Sequence, residues 1–141
     1  MNYASPAGPI SESTFRVRYA ETDAMGIVHH SRYLPWFEIG RTDWMRQAGL
    51  TYAEFEAMGF YLTVVEVGIR YQKPARYDDL VTVRTWLAEV RSRGLRIDYE
   101  VVGAQGDVLV TGFTRHICIT HDGTPVRLPE VLVQTLERYN V

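Results

Sequence analysis

Apolar and polar residues alternate over several short stretches of the chain, and this two-residue period predicts strands buried on one face. The earliest is FRVRY, Phe15 to Tyr19. Four longer runs follow in the second half of the sequence: YLTVVEVGIRYQ, LVTVRTWLAEV, LRIDYEVV and VLVTGFTRHICIT. In the first of these, Leu62 and Val64 share one face but Val65 and Val67 share the other, which predicts a β-bulge. The sequence therefore predicts five strands.

Short turns separate the last three runs. RSRG joins the second of the four runs to the third, and GAQGD joins the third to the fourth. Brief connections that contain glycine are typical of β-hairpins. These strands are therefore predicted to be antiparallel.

A long helix is predicted between the first strand and the other four. Residues 31–48 (SRYLPWFEIGRTDWMRQA) place apolar side chains around most of a helix circumference, which is typical of a buried helix. Pro35 must lie in the first turn, because proline lacks an N–H and disfavours helical geometry at the residue before it. Either the regular helix begins near Leu34 or its first turn is irregular.

Two shorter helices complete the pattern. Thr51 and Glu54 have capping-box spacing, which predicts a short helix that stops at Gly59. Pro129 can open a C-terminal helix that runs through Tyr139. One antiparallel sheet wrapped around one apolar helix satisfies this order of elements, so we expect a single α+β domain.

Composition and charge exclude some classes of function. The 141 residues are 46% hydrophobic, and a chain of this length typically buries ~68–70% of its unfolded surface. The net charge of −2 and the pI of 6.1 argue against a dedicated nucleic-acid binder. The partner predicted by composition is therefore not a nucleic acid.

Residues 1–13 are predicted to be a flexible tail and residues 14–141 the folded domain. The tail is rich in Ser, Pro, Gly and Ala, and it lacks the basic start and apolar run of a signal peptide. No stretch approaches the ~18 apolar residues of a membrane span. The single cysteine requires no oxidising compartment. These features predict a cytoplasmic protein.

The segment richest in chemistry is YAETDAMGIVHHSRYLPWFEIGR, residues 19–41. It resembles the hotdog-fold acyl-CoA thioesterases, the group that contains 4-hydroxybenzoyl-CoA thioesterase and the Tol-Pal-associated acyl-CoA thioesterases. IRYQKPARYDD resembles a later strand of the same family, and the resemblance spans roughly residues 14–140. The matching positions of the first segment are Tyr19, Thr22, Asp23, Gly26, Val28, His30, Tyr33 and Glu38.

The resemblance implies a fold, a reaction and an assembly. The fold is the hotdog fold, a five-stranded antiparallel sheet wrapped around a long central helix. The reaction is hydrolysis of an acyl-CoA thioester to a free acid and CoA, with no cofactor beyond the coenzyme A of the substrate. Proteins of this type are homodimers or homotetramers with active sites between subunits. The acyl group is left open.

Asp23 is predicted to carry the reaction. Its carboxylate can attack the thioester carbonyl as a nucleophile or act as a general base on water. Backbone N–H groups at a helix start lack intrahelical partners, so those near His29, His30 and Ser31 are candidates for the oxyanion hole. Gly26 would allow the tight turn that faces Asp23 towards them. The His30 side chain is a second catalytic candidate, with packing near the site as the alternative.

Other interpretations of these acids stay open. Thr22 and Asp23 could simply cap a local turn. Glu38 is a competing catalytic acid, because another branch of the hotdog thioesterases uses a carboxylate on the central helix. The alternative for Glu38 is a structural acid that pairs with Arg41 or Thr42.

The remaining histidines and the cysteine receive structural interpretations. A metal site is disfavoured, because adjacent histidines rarely bind one ion and no zinc-binding spacing occurs. His116 and His121 are interpreted as strand-end and turn residues, and Cys118 as a core thiol. The absence of a Gly-x-Ser-x-Gly elbow argues against a serine hydrolase.

Substrate contacts are predicted from two requirements. The phosphates of coenzyme A require cations, and the acyl group requires an apolar pocket between the helix and facing strands. The candidate substrate-binding residues are Tyr33, Trp36, Phe60, Tyr61, Lys73, Arg76, Arg91 and Arg93. A non-catalytic acyl-CoA-binding protein with the same pocket is the alternative function.

Overall fold

The computed structural model describes residues 8–140. They contain β1 (Ser11–Arg16), α1 (Tyr33–Ala48), α2 (Tyr52–Ala57), β2 (Phe60–Tyr71), β3 (Leu80–Val90), β4 (Gly94–Gly103), β5 (Val108–Thr120) and α3 (Glu130–Tyr139). The strands form one antiparallel sheet in the order β1-β3-β4-β5-β2, and α1 lies across β1, β3 and β4. The predicted α+β fold, with a five-stranded sheet around a long helix, is confirmed.

α1 packs closely on the sheet through one face. Phe37 stacks on Tyr99 of β4, with ring centroids 4.2 Å apart. A Cβ added at Gly40 would collide with the Thr85 hydroxyl and would lie 2.9 Å from Val83 Cγ1. The lack of a side chain at Gly40 therefore allows the close approach of α1 to β3.

The prediction that α1 is buried around most of its circumference is wrong for the single chain. Leu34 and Ile39 are 42% and 43% exposed, because α2 and the sheet cover only part of the helix. Pro35 is the third residue of α1, where its missing N–H breaks no intrahelical bond. A 3₁₀ turn, His30–Arg32, precedes the helix. The regular helix therefore begins next to Leu34, as one expectation had it, and an irregular turn precedes it.

β1 lies earlier in the chain than predicted. The predicted strand was Phe15 to Tyr19, but the observed strand is Ser11–Arg16 and Tyr19 lies in a 3₁₀ turn. Ser11 and Ser13 are buried at the inward positions, where the alternation rule expects apolar residues. Ser13 Oγ donates a hydrogen bond to Asp43 Oδ2 of α1 at 2.6 Å. The predicted tail of residues 1–13 is therefore too long, and residues 1–7 lie outside the described part.

β2 is an edge strand with a bulge. The register shifts between Val64 and Glu66, which confirms the predicted change of phase. One side of β2 pairs with β5, and no strand of residues 8–140 pairs with the other side. Val65 and Val67 are exposed along this open edge. An open apolar edge of this kind is a template for pairing with another chain.

The short helices occur where they were predicted. Thr51 and Glu54 form both bonds of the capping box at the start of α2. Pro129 is the N-cap residue of α3. No helix within residues 8–140 is long and apolar enough to cross a membrane.

Candidate active site

The loop before α1 is a tight turn built around Asp23. The Asp23 N–H donates to the Ile27 carbonyl at 2.8 Å, and the Gly26 N–H donates to the Asp23 carbonyl at 2.9 Å. Gly26 has a φ of 79°, in the left-handed region that favours glycine. Asp23 Oδ1 accepts the Met25 N–H at 2.8 Å. The predicted local cap is therefore present, and it occupies one carboxylate oxygen. Within residues 8–140, Oδ2 makes no hydrogen bond.

The candidate oxyanion donors differ in whether they are already bonded. The His29 N–H donates to the Glu21 carbonyl at 2.9 Å. The Ser31 N–H donates to His29 Nδ1 at 3.2 Å. The His30 N–H has no hydrogen-bond acceptor among the described residues. Of the three predicted donors, His30 is therefore the one left available to a ligand.

The peptide groups around this N–H are fixed by neighbours. The His29 carbonyl accepts the Arg32 N–H at 2.9 Å. The next carbonyl, that of His30, accepts the Tyr71 hydroxyl at 3.0 Å. The His30 N–H is thus held at the start of α1, where unpaired N–H groups and the helix dipole favour negative charge.

Asp23 and His30 line one pocket of 330 Å³. The pocket lies at the end of β2, beside the start of α1. Its lining residues are Asp23, Met25, Ile27, Val28, His30, Tyr33, Tyr71, Gln72, Lys73 and Pro74. A larger cavity of 410 Å³ between α3 and β3 contains none of the predicted site residues. The predicted acid and the available N–H therefore meet in a pocket of ligand size.

Two tyrosines form the aromatic wall of this pocket. Tyr33 contacts Tyr71 edge to face, with ring centroids 5.5 Å apart. Burial raises the pKa of Tyr33, although a hydrogen bond from the Ala75 backbone N–H opposes the shift, and desolvation raises the pKa of Tyr71. Both phenols are therefore neutral hydrogen-bond donors near pH 7. Tyr33 was a predicted site residue, but Tyr71 was not.

The other aromatic candidates lie away from the pocket in the single chain. Trp36, predicted to contact the substrate, is 1% exposed, and its indole Nε1 donates to Glu21 Oε2 at 2.7 Å. Phe60 and Tyr61 lie at the opposite end of β2 from Tyr71, roughly 33 Å along the strand. These three residues therefore do not line the Asp23 pocket of their own chain.

The predicted cations divide into two groups. Lys73 lines the Asp23 pocket, and its Nζ lies 3.7 Å from Asp107 Oδ2. Arg76 is exposed near the pocket, and its backbone pairs with that of Ile27 in an isolated β-bridge. Arg91 and Arg93 lie on the β3–β4 turn beside a separate pocket of 290 Å³.

The arginines of that turn differ in their ion pairs. Arg91 pairs with Glu89, and the neighbouring Arg115 pairs with Glu66 and Glu89. Among residues 8–140, Arg93 has no ion pair. Arg93 is therefore the arginine of this pocket whose guanidinium is available to an anionic ligand.

Glu38 does not take the structural role that was one of its two interpretations. It is exposed and, within the described chain, forms no ion pair with Arg41. Both line a polar pocket of 380 Å³ between α1 and α2, at a distance along α1 from Asp23 and His30. Burial raises the pKa of Tyr99, and the positive charge of Arg41 opposes that shift.

A buried hydrogen-bonded chain links Tyr99 of β4 to β2, and the sequence did not reveal it. Tyr99 OH and Thr114 Oγ1 are 2.7 Å apart, as are Thr114 Oγ1 and His116 Nε2, and His116 Nδ1 is 3.4 Å from the Leu62 carbonyl. A carbonyl can only accept a hydrogen bond, so the contact with Leu62 assigns the Nδ1–H tautomer to His116. Nε2 of His116 then accepts from the Thr114 hydroxyl, and the Thr114 oxygen accepts from Tyr99.

The interpretation of His116 as a strand-end residue is wrong. It lies in the middle of β5 and is 2% exposed. Burial and, to a smaller extent, the charge of Arg41 lower its pKa to about 4, against the opposing effect of the hydrogen bond to the Leu62 carbonyl. His116 is therefore neutral near pH 7.

Two other interpretations agree with the structure. His121 lies in the turn after β5, and Cys118 is fully buried in the core, where burial raises the pKa of its thiol. Among residues 8–140, no group of three or more His, Cys, Asp or Glu side chains is placed to hold a metal ion.

Comparison with known proteins identifies the family. The family model of the Thioesterase-like superfamily matches residues 17–136. The chain is 36% identical over 110 residues to a putative acyl-CoA thioesterase, YneP, from Bacillus subtilis strain 168, covering 78% of this chain and 80% of that protein.

Solved structures agree with this family. The DHNA-CoA thioesterase of Staphylococcus aureus superposes with a TM-score of 0.86 at 34% identity, covering 92% of this chain and 88% of that one. A hypothetical protein from Thermus thermophilus superposes with a TM-score of 0.87 at 43% identity, covering 92% and 99%.

The chain belongs to the Thioesterase-like superfamily. The predicted hotdog fold and the predicted enzyme class, a thioester hydrolase, are confirmed at this level. The roles of individual residues stay predictions.

Proposed function

We propose that this protein hydrolyses acyl-CoA thioesters, with Asp23 as the reacting carboxylate and the His30 N–H as the oxyanion donor. The observation that carries the proposal is the meeting of these two groups in one pocket at the start of α1. Family membership supports the same reaction, because relatives with the same fold are named as acyl-CoA thioesterases.

The geometry suits either of two routes. Asp23 Oδ2 could attack the thioester carbonyl, expel the CoA thiolate and form a mixed anhydride that water then hydrolyses. Alternatively, Oδ2 takes a proton from water as the water attacks. Both routes consume one water and yield a carboxylic acid and CoA thiol. In both, the carbonyl oxygen becomes negative, and one well-placed N–H donor such as that of His30 is worth roughly 3 kcal/mol in the transition state.

The His30 side chain is proposed to contact the substrate beside its own N–H. It is exposed in the pocket, and its ring centroid lies 4.0 Å from that of His29, with the two rings tilted by 34°. Ser31 hydrogen-bonds to the His29 ring through its hydroxyl at 2.8 Å. Ser31 is therefore proposed to fix the helix start, and His30 to face the ligand.

We propose that the site is completed by a second copy of the chain. The open edge of β2 is long enough to pair with the same strand of another copy, and its bulge lies near its midpoint. Antiparallel pairing about that midpoint would bring Phe60 of the partner subunit beside Tyr71. Phe60 stacks on Phe55 of α2, and Tyr71 contacts Tyr33 of α1 edge to face, so both side chains face the side of the sheet that carries the helices. The predicted contact of Phe60 with substrate is proposed to arise in this way, in a homodimer or homotetramer. Tyr61, the next residue of β2, faces the other side of the sheet, so this pairing does not account for its predicted contact.

The phosphates of coenzyme A are proposed to lie near the predicted cations. Lys73 lines the pocket, Arg76 is exposed at its edge, and Arg93 has no ion pair within the described chain. Arg91 adds positive charge beside Arg93 on the same turn. Arginine and lysine are the side chains that bind phosphate oxygens by charge-assisted hydrogen bonds.

The acyl group stays open, and the pocket suggests which compounds to test. The aromatic wall and the volume of 330 Å³ would admit an aromatic or a short aliphatic acyl group. One relative is named for DHNA-CoA. No cofactor is proposed beyond the coenzyme A of the substrate. The free, buried Cys118 is compatible with a cytoplasmic location, which stays a prediction.

A panel of aromatic, short-chain and long-chain acyl-CoA thioesters, assayed by release of thiol, tests the proposal. Asp23→Asn is the decisive variant, because its amide oxygen can still accept the Met25 N–H and hold the turn. We expect kcat to fall at least 100-fold with little change in the unfolding temperature. Asp43→Asn, at the far end of α1, is the matched control and should retain activity.

The same assay separates the alternative function. A protein that binds acyl-CoA without catalysis would bind one member of the panel and release no thiol from any. The structural observation that fits this alternative is that the Asp23 carboxylate already accepts a hydrogen bond within its own turn, from the Met25 N–H. Full activity of Asp23→Asn would instead move the reaction to another acid, with Glu38 the next candidate.

A further inference from the structure

Glu21 is a buried carboxylate that the proposed chemistry does not use. It lies two residues before Asp23 and is 4% exposed. Its Oε1 accepts the Arg18 N–H at 2.7 Å, and its Oε2 accepts the Trp36 indole N–H at 2.7 Å. The Arg18 guanidinium lies 3.4 Å from Oε2. A buried carboxylate is costly unless it is hydrogen-bonded, and both oxygens of Glu21 accept hydrogen bonds.

Hydrogen bonds keep this carboxylate ionised. Burial raises the pKa of Glu21, but the Arg18 N–H, the Trp36 indole and the Arg18 charge together outweigh it and lower the pKa. Glu21 is therefore negatively charged in the folded protein near pH 7. Its hydrogen bond with the Trp36 indole holds the chain before Asp23 against the first turn of α1.

The backbone of Glu21 fastens the same point to the other side of the site. Its carbonyl accepts the His29 N–H at 2.9 Å, and His29 immediately precedes the proposed oxyanion donor. Closer to the turn, Thr22 pairs with Val28 in an antiparallel bridge, and the Asp23 N–H donates to the Ile27 carbonyl. The Glu21–His29 hydrogen bond is thus the outermost of the three main-chain pairings that hold the Asp23 turn.

We infer that Glu21 is a positioning residue that sets the distance between the Asp23 carboxylate and the His30 N–H. This inference rests on the proposed function. The side chain and the carbonyl of Glu21 act together. The side chain fixes the loop to Trp36 of α1, and the carbonyl fixes it to His29, beside the His30 N–H. A misplacement of about 1 Å at a reacting group can cost on the order of 100-fold in rate.

Glu21→Gln tests the inference with little change of shape. Both oxygens of Glu21 accept hydrogen bonds, whereas glutamine has one accepting oxygen and a donating NH₂. Its NH₂ must therefore face either the Arg18 N–H or the Trp36 indole, donor against donor. The loop should move while the pocket lining stays intact. We expect kcat to fall about 10- to 100-fold and KM to stay within about threefold.

The matched control is Glu100→Gln. Glu100 is another largely buried glutamate, accepting an Arg84 hydrogen bond at 2.7 Å on β4, and it does not line the Asp23 pocket. The chemical change is identical, so any general loss of stability is shared. Thiol release by Glu100→Gln should stay within about twofold of the wild-type rate.

A second variant keeps the inference testable if Glu21→Gln does not fold. Trp36→Phe removes one donor to Glu21 and keeps an aromatic ring against Phe15 and Tyr33. We expect it to lower kcat several-fold. Hydrogen exchange of the His29 amide, measured by NMR without substrate, should speed up at least 10-fold in either variant, because the bond to the Glu21 carbonyl is loosened.

The outcomes distinguish this inference from the proposed function. If the wild type cleaves a thioester and the folded Glu21→Gln variant has a kcat within twofold of the wild type, Glu21 does not position Asp23 or His30. Unchanged His29 exchange in both variants would also overturn it, whatever the enzyme acts on. If the wild type cleaves no thioester in the panel, the proposed function fails first, and the exchange measurement alone judges whether Glu21 fixes the loop.

Discussion

The Tyr71 hydroxyl donates a hydrogen bond to the His30 carbonyl oxygen at 3.0 Å. This bond joins the end of the edge strand β2 to the 3₁₀ turn that starts α1. The two residues are 41 positions apart in the chain, yet they line the same pocket. The helix start is thus held from the sheet as well as from its own loop.

Tyr71→Phe should lower kcat several-fold and the free energy of unfolding by about 1 kcal/mol, the value of a typical hydrogen bond. The phenyl ring would still contact Tyr33, so the pocket wall should persist. Steady-state kinetics and urea unfolding measure the two effects. Tyr77→Phe, at another exposed tyrosine with a ring contact of its own, is the control. Equal kinetics for both variants would show that the bond to His30 has no part in the reaction.

Gly26→Ala should reduce activity more than stability. Gly26 and Gly106 have φ values of 79° and 84°, and a Cβ at either would meet no atom within 4 Å. The cost of alanine is therefore backbone strain, roughly 1–2 kcal/mol at each position. We expect similar unfolding temperatures for Gly26→Ala and Gly106→Ala, but a kcat at least 10-fold lower for Gly26→Ala alone. A normal kcat in that variant would contradict the role of the turn.

His116 makes stability depend on pH in a defined window. Its pKa is about 4 in the folded chain, below the ordinary 6.5, so the unfolded chain binds the extra proton first. The stabilisation is complete above pH 6.5 and is lost as the pH falls towards 4, by about 3 kcal/mol in all. His116→Gln should remove this part of the pH dependence. Urea unfolding of both proteins at pH 4.5 and 7 measures it; parallel losses would contradict the assignment.

Val67→Glu should separate the proposed subunits. Val67 is exposed on the open edge strand, and a carboxylate there would be buried against the partner. Sedimentation should show the wild type at a multiple of the 16.2 kDa chain and the variant nearer one chain, with lower activity. Val131→Glu, on α3, controls for the added charge. An active wild-type monomer would disprove the proposed shared site.

The sequence predicted the fold because its strongest signals are local. Alternating residues marked β3, β4 and β5, and glycine turns marked their hairpins. β1 was misplaced because two serines, Ser11 and Ser13, fill its inward positions, and alternation of apolar residues cannot detect a strand of this kind. Of the two, Ser13 hydrogen-bonds to Asp43 of α1. The burial of α1 was overestimated, because periodicity shows which residues are apolar but not how much of a helix its own chain covers.

The candidate site was predicted in part. Asp23, Gly26 and His30 lie within eight residues of one another, so a local motif could bring them together. Tyr71 could not be found in this way, because its contact with His30 depends on the tertiary fold. Glu21 and His116 were missed for a related reason: each has a partner on a distant element, Trp36 for Glu21 and the Leu62 carbonyl for His116, and the sequence does not show these neighbours.

The hydrogen bond between Asp23 Oδ1 and the Met25 N–H makes the two oxygens of one carboxylate unequal. Oδ1 is held by this hydrogen bond, so the carboxylate cannot rotate freely about its terminal bond. Oδ2 therefore has a single orientation before any ligand binds. The loop therefore has little conformational entropy left to lose when substrate binds, and crystals grown with and without a thioester analogue should superpose closely here.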